Sequence, residues 1–263
     1  MKKSLFAIAL TVVCAGCLFD GVHTPEENTT DDDRASLKKA YVITVGVENG
    51  YAGKCAGAKT DCNHMASLLK PYAKTLVKLV DKQATITAVC NALKTGAKSD
   101  LLIFYFSGHG GQINTAQAAN DKTETDKKDE FICLYDGGLL DNSIWNIIST
   151  CKGRVVLIFD ACHSQTMYRE PVTFSRQIAQ ARDKHHIAGD LRMICWSGCP
   201  DNSYSYGSSS GGVFTNAIRK YYNKKLTYDQ LWSKLESYKT LTKQEKIQCT
   251  TMGTKFGTTK VFQ

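Results

Sequence analysis

A chain of 263 residues with 43% hydrophobic content suits one sizeable α/β core and does not support two. The formal charge of +8 includes Lys2 and Lys3, and the remaining basic residues are scattered with no RNA- or DNA-binding module among them, which argues against nucleic acid as a partner. None of the eleven cysteines forms a CxxC pair with His at zinc-finger spacing, so a structural zinc site is not expected either.

At the N-terminus, Lys2 and Lys3 precede an apolar run from Leu5 to Val13, with Ala15 and Gly16 before Cys17. This is the pattern of an export signal, and its apolar stretch is shorter than the roughly 20 residues a spanning helix needs. Cys14-Ala15-Gly16-Cys17 resembles a bacterial lipobox, with Cys14 where an aliphatic residue is usual. The expectation is a signal peptide over 1–16, a lipidated polar tether over 17–38 and one folded domain over 39–263. Cys17 would carry the lipid, making the protein an exported, membrane-anchored lipoprotein; simple secretion is the alternative.

Tyr41–Val47 is β-branched and predicts a first strand, followed by a helix over Asp61–Leu69 that ends before Pro71. Leu76–Val80 predicts a second strand and Thr85–Lys94 a second helix. Leu101–Phe106 and Val155–Phe159 are nearly continuous apolar runs, as central strands of a parallel sheet require, and Arg192–Trp196 repeats the character more weakly. Phe214–Asn223 and Tyr228–Tyr238 predict further helices. The stretches 112–128 and 165–190 predict long loops, which in a compact domain usually serve function or stay disordered. Cys90, Cys133 and Cys195 lie in element-like contexts that suit buried thiols.

Two of these strands end in polar bursts. Phe106 runs into Ser107-Gly108-His109-Gly110-Gly111, and Phe159 runs into Asp160-Ala161-Cys162-His163-Ser164. An open parallel sheet binds its ligands at the carboxyl ends of its strands, so both bursts fall at the functional edge. A thiol needs a nearby base to populate thiolate, and imidazole titrates near neutrality; Cys162 as nucleophile and His109 as acid–base partner therefore form an activated pair that requires no cofactor. The N–H groups of Gly110 and Cys162 are candidates for an oxyanion hole. His163, next to the nucleophile but on the opposite side of an emerging strand, is not the expected base.

The strings YFSGHGG and IFDACHS resemble the two signature blocks of caspase-like cysteine peptidases, the second being nearer the metacaspase form, from which Ala161 and Gln165 depart. His109 precedes Cys162 by 53 residues, close to the caspase spacing. Asp129–Asp136, Ser197–Asp201, Gly212–Thr215 and the turn Gly57–Asp61 resemble further family blocks, so the likeness runs from about Tyr41 to Tyr222. It implies a three-layer, caspase-hemoglobinase-like α/β fold with a mostly parallel sheet, acting on protein or peptide substrates. Metacaspases cleave after Arg or Lys, and the resemblance sets Asp61, Ser107 and Asp160, with Asp201 beside them, around the pocket for that cation. Before Arg154 the chain has a single Arg, Arg34, so the first β–α turn and the His loop offer no arginine for an Asp-binding pocket.

Many metacaspases take calcium. Asp129, Asp141 and Asn142 are candidate oxygen ligands, but Arg169 stands in the loop after Cys162 where a carboxylate would help, which leaves calcium an option and not a requirement. That loop also carries Arg176, Arg182 and Lys184, which an enzyme of basic specificity would itself cleave. The alternatives are an inactive caspase-like binding module and a same-fold peptidase preferring Asn or Asp. The sequence contains no signature of oligomeric state.

Overall fold

The computed structural model of the chain describes residues 39–114, 128–161, 191–198, 207–238, 247–253 and 255–263. The expected leader and tether with Cys17, the loop 165–190, Cys162 and Asp201 lie outside the described residues.

The β-branched opening forms β1 (Ala40–Gly46), buried everywhere except at Tyr41. A hairpin of β2 (Asn49–Gly50) and β3 (Gly53–Lys54) leads into α1 (Ala58–Leu69), which Pro71 closes through a 3-10 turn at Lys70–Tyr72. Then come β4 (Ala73–Val80), a 3-10 turn at Asp81–Gln83, and α2 (Ile86–Gly96), whose start is fixed by Thr85 Oγ1 accepting from the Ala88 N–H at 3.2 Å. Next are β5 (Leu101–Ser107), β6 (Gly110–Ile113), β7 (Asp129–Cys133), β8 (Gly138–Leu140), α3 (Asp141–Ile148) and β9 (Arg154–Asp160). The chain continues with β10 (Arg192–Ser197), β11 (Gly207–Ser208), β12 (Gly211–Gly212), α4 (Val213–Tyr221), α5 (Tyr228–Ser237) and β13 (Gln248–Met252).

Six strands form the central sheet in the order β13-β10-β9-β5-β1-β4. All neighbours are parallel except β13, which runs antiparallel to β10. Alternation along β5 divides the core: Leu102, Phe104 and Phe106 face a cluster with Val89 and Leu93 of α2 and Ile144 and Trp145 of α3. Leu101, Ile103 and Tyr105 face a cluster with Met65 of α1, Phe214 and Ile218 of α4, and Leu231 of α5. Helices on both faces explain why the central strands read as continuously apolar, and they give the three layers expected from the sequence.

The strands and helices named from the sequence are all present, with ends displaced by a few residues. Unanticipated are the edge strand β13, the small sheet β6-β7-β8 and α3. Each is short, and β13 alternates half-buried with exposed residues, so none carries the long periodic signal that sequence reading depends on. Cys133 and Cys195 are buried thiols as expected, whereas Cys90 is half-buried. No described helix is long and apolar enough to cross a membrane.

Candidate active site

Register brings the candidate residues to one edge. Gly46 of β1 pairs with Ser107 of β5, and Ser107 pairs with Asp160 of β9, so three strands end level with one another. Backbone bonds continue past the strand ends: Val47 N–H donates to the Ser107 carbonyl at 3.0 Å and Gly108 N–H to the Asp160 carbonyl at 3.4 Å. The turn after β5 carries His109, and Cys162 follows Asp160 by two residues in the chain.

His109 is half-buried, and its backbone carbonyl accepts from Cys133 N–H of β7 at 2.9 Å, which ties the turn to the small sheet. Its Nε2 lies 3.1 Å from the carbonyl oxygen of Lys54 in β3. A carbonyl can only accept, so in the neutral ring the proton resides on Nε2 and the lone pair on Nδ1. The hairpin that presents this carbonyl is itself held, because Asp81 Oδ1 accepts the N–H groups of Glu48 at 2.8 Å and Asn49 at 2.9 Å. Gly110, the oxyanion candidate, begins β6 opposite Ile132.

The three pocket candidates meet. Asp61 is 1% exposed, and its Oδ2 accepts from Ser107 Oγ at 3.0 Å and from Gly212 N–H at 2.8 Å. Asp61 is not a helix cap: Gly57 occupies that position and Asp61 N–H donates to the Gly57 carbonyl one turn inside α1. Asp160 Oδ2 accepts from both the N–H and the Oγ1 of Thr215, at 3.0 and 2.6 Å. Thr215 has thereby used its one hydroxyl proton, so Tyr105 OH, 2.6 Å from Thr215 Oγ1, is the donor in that pair. A buried relay therefore runs from β5 through the first turn of α4 to the end of β9.

Asp61 Oδ1 is buried and accepts no hydrogen bond among the described residues. Burial, and then the neighbouring Asp160 carboxylate, raise the Asp61 acid to about 7, and the same burial and carboxylates hold the Tyr105 phenol well above its ordinary value. Glycine lets the backbone approach these acids closely. A Cβ on Gly211, which sits at φ +106°, would lie 2.2 Å from Asp61 Oδ1, and one on Gly212 would lie 2.2 Å from Asp160 Oδ2. Among the described residues no cation bonds to Asp61, Arg219 acting on it only through its charge, and a desolvated carboxylate in such a place is stabilised by a proton or by a positively charged ligand.

The calcium candidates come together where α3 starts beside β7 instead. Asn142 Nδ2 donates to Asp129 Oδ1 at 3.0 Å, and Asn142 N–H to Asp141 Oδ1 at 2.7 Å. Two carboxylates and one amide fall short of the 6–8 oxygens calcium takes, and among the described residues no three His, Cys, Asp or Glu side chains gather as a metal group.

Sequence reading missed the Lys54 carbonyl, the Tyr105–Thr215 relay and Gly211. A backbone acceptor has no residue type to betray it. Thr215 was visible in the Gly-x-Phe-Thr block, though its bond to Asp160 was not.

The caspase domain family matches residues 38–256. The chain is 34% identical over 205 residues to Metacaspase-1 of Candida glabrata, covering 70% of this chain and 51% of that one. It is 35% identical over 137 residues to Metacaspase-3 of Trypanosoma cruzi, covering 45% and 36% respectively. It thus spans about half or less of the length of these curated relatives. Among solved structures, a Geobacter sulfurreducens protein superposes with a TM-score of 0.61 at 20% identity, over 85% of this chain and 98% of that one. Caspase-1 of Spodoptera frugiperda superposes at 0.57 with 11% identity, over 86% and 92%. These likenesses carry the fold, the family match carries the descent, and the chain accordingly belongs to the caspase domain family, with its curated similarity lying among the metacaspases.

Proposed function

We propose that the chain is a cysteine endopeptidase that cleaves after Arg or Lys through Cys162 and His109. The observation that carries the specificity is the buried, unpartnered Oδ1 of Asp61 beside Asp160, at the strand end that leads into Cys162. A guanidinium or ammonium entering this recess gains charge-assisted bonds that no neutral or acidic side chain can make. In this reading the Cys162 thiolate attacks the scissile carbonyl and forms a thioester, the imidazolium of His109 gives its proton to the leaving amine, and the neutral ring then takes one from the attacking water. The Lys54 carbonyl keeps the ring proton on Nε2, so that Nδ1 is the nitrogen that exchanges protons.

The test is hydrolysis of matched fluorogenic peptides ending in Arg, Lys, Asp or Asn by the purified chain, with and without calcium, alongside Cys162→Ala. Cleavage confined to Arg and Lys peptides, reduced at least ~10³-fold in the variant, is the expected result. Cleavage after Asn or Asp would replace the specificity, and a folded protein that cuts no peptide but still binds basic ones would be a binding module.

A further inference from the structure

A second polar concavity adjoins the catalytic edge. At the margin of the sheet, a depression of about 750 Å³ is walled by Lys59 of α1, Lys78 of β4, and the turn that carries Asp81 and Lys82. Lys78 Nζ is steadied by Asn63 Oδ1 at 3.0 Å. The single carboxylate among the described lining residues is already engaged, since Asp81 Oδ1 holds the Glu48 and Asn49 N–H groups. Those two bonds also stabilise Asp81 at φ +45°, a conformation a non-glycine residue keeps only when its surroundings impose it. No acidic side chain among the described residues pairs with the three lysines. The concavity is therefore built with its own acid turned inward and its cations left to solvent.

Through Asn49 and Tyr135 the depression adjoins a second of about 490 Å³, lined by Tyr51 and by Lys54, whose carbonyl meets His109. Tyr51 is 68% exposed. A basic trough with an aromatic side chain thus extends from the rim of the imidazole to the sheet edge.

We propose that this trough is an exosite that holds an acidic segment of the polypeptide substrate, at a distance from the basic residue that enters the carboxylate recess. This rests on the endopeptidase reading. An occupant that reaches from the catalytic histidine to the lysines is most simply the substrate chain itself, and three unpaired cations select Glu and Asp in it. Exposed pairs of this kind are individually weak and sensitive to salt, so the exosite acts by summed attraction and steering of the encounter.

Two measurements test it with the full chain. In the first, a fluorescein-labelled peptide of Glu and Gly, without any basic residue, is titrated against Cys162→Ala and against the same protein carrying Lys59→Gln, Lys78→Gln and Lys82→Gln. Anisotropy is expected to show about tenfold weaker binding to the triple-lysine variant, and weaker binding to the parent as salt rises from about 50 to about 300 mM. In the second, the active enzyme cleaves two Arg peptides that differ only in a Glu-rich or Ser-rich flank. The Glu-rich peptide should have a KM about fivefold lower, an advantage that vanishes in the triple-lysine variant while its activity on the Ser-rich peptide is unchanged. Equal cleavage of the two flanks, or unchanged Glu-peptide binding by the triple variant, overturns the exosite and leaves the peptidase reading intact. Binding of phosphatidylglycerol vesicles without any binding of the Glu peptide overturns it in favour of a membrane surface. Lysine-dependent binding of the Glu peptide by a chain that cleaves nothing supports the trough and removes the peptidase reading instead.

Discussion

Among the described residues, the buried acids Asp129 and Asp141 and the buried acids Asp61 and Asp160 form two pairs that are put together differently. Asp129 and Asp141 are linked through Asn142, whose amide donates to the first and whose backbone N–H donates to the second, so this pair secures the start of α3 against β7. Asp61 and Asp160 also receive several donors: Ser107 and Gly212 on Asp61 Oδ2, and Thr215 twice on Asp160 Oδ2, beside further contacts of Asp160. Asp61 Oδ1 accepts no hydrogen bond among the described residues, and neither does Asp141 Oδ2, although Asp141 has further contacts, so the pairs are set apart by their neighbours and not by an unmet oxygen. The same residue type thus meets an amide in one pair, and in the other a second carboxylate with glycines adjacent, the setting that the proposed specificity for Arg or Lys relies on.

Asp61→Asn breaks this difference most directly. Leaving one charge of the recess but removing the unpartnered carboxylate oxygen should lower kcat/KM for Arg peptides by about 10²-fold, mainly through KM, on the scale of losing one partner of a desolvated ion pair. A KM equal to that of the wild type would mean that the P1 side chain does not contact Asp61.

The same substitution changes stability with a defined sign. Asp61 titrates near the ordinary carboxyl value of 3.8 in the unfolded chain and at about 7 when folded. Between those values the folded chain holds the extra proton, so stability is highest below about pH 4 with respect to this group, falls as pH rises to about 7 and is level above. The decline is on the order of a few kcal/mol. Denaturant unfolding between pH 4 and 8 should show it in the wild type and show it flattened in Asp61→Asn, which becomes the more stable protein at pH 8. Parallel curves for the two proteins would mean that Asp61 is ionised throughout. A cationic ligand such as benzamidine competes with this proton, so its affinity for the wild type should increase with pH up to about 7.

How much of this was legible in the sequence differs between side chains and backbone. The apolar runs of β5 and β9 placed Ser107 and Asp160 at the ends of central strands, and the family resemblance brought Asp61 to the same place. Their convergence is what parallel register enforces once both faces of a sheet are covered. The Lys54 carbonyl and the close approach of Gly211 to Asp61 were invisible for the opposite reason. A carbonyl is common to all residues, and a glycine is informative only when the atom its Cβ would strike is known. The β6-β7-β8 sheet escaped because its pairing depends on a tight turn and on distant partners, not on any periodicity within strands of three to five residues.

The smallest effects separate positioning from mere support. Thr215→Val deletes the hydroxyl that donates to Asp160 and strands the Tyr105 phenol, at a cost of roughly 2 kcal/mol, as for a buried hydrogen bond to a charged group. Asn142→Ala deletes the donor to Asp129 at a cost of about 1–2 kcal/mol. The two variants should therefore lose similar stability in chemical denaturation. They should part in kinetics: Thr215→Val leaves the backbone N–H but removes the hydroxyl that orients Asp160 and raises KM for Arg peptides severalfold, Thr215→Ser restores it, and Asn142→Ala leaves it unchanged. An equal rise in KM for Thr215→Val and Asn142→Ala would place both acid pairs in the same supporting role, and the distinction between a structural link and a cation recess would then have to rest on Asp61 alone.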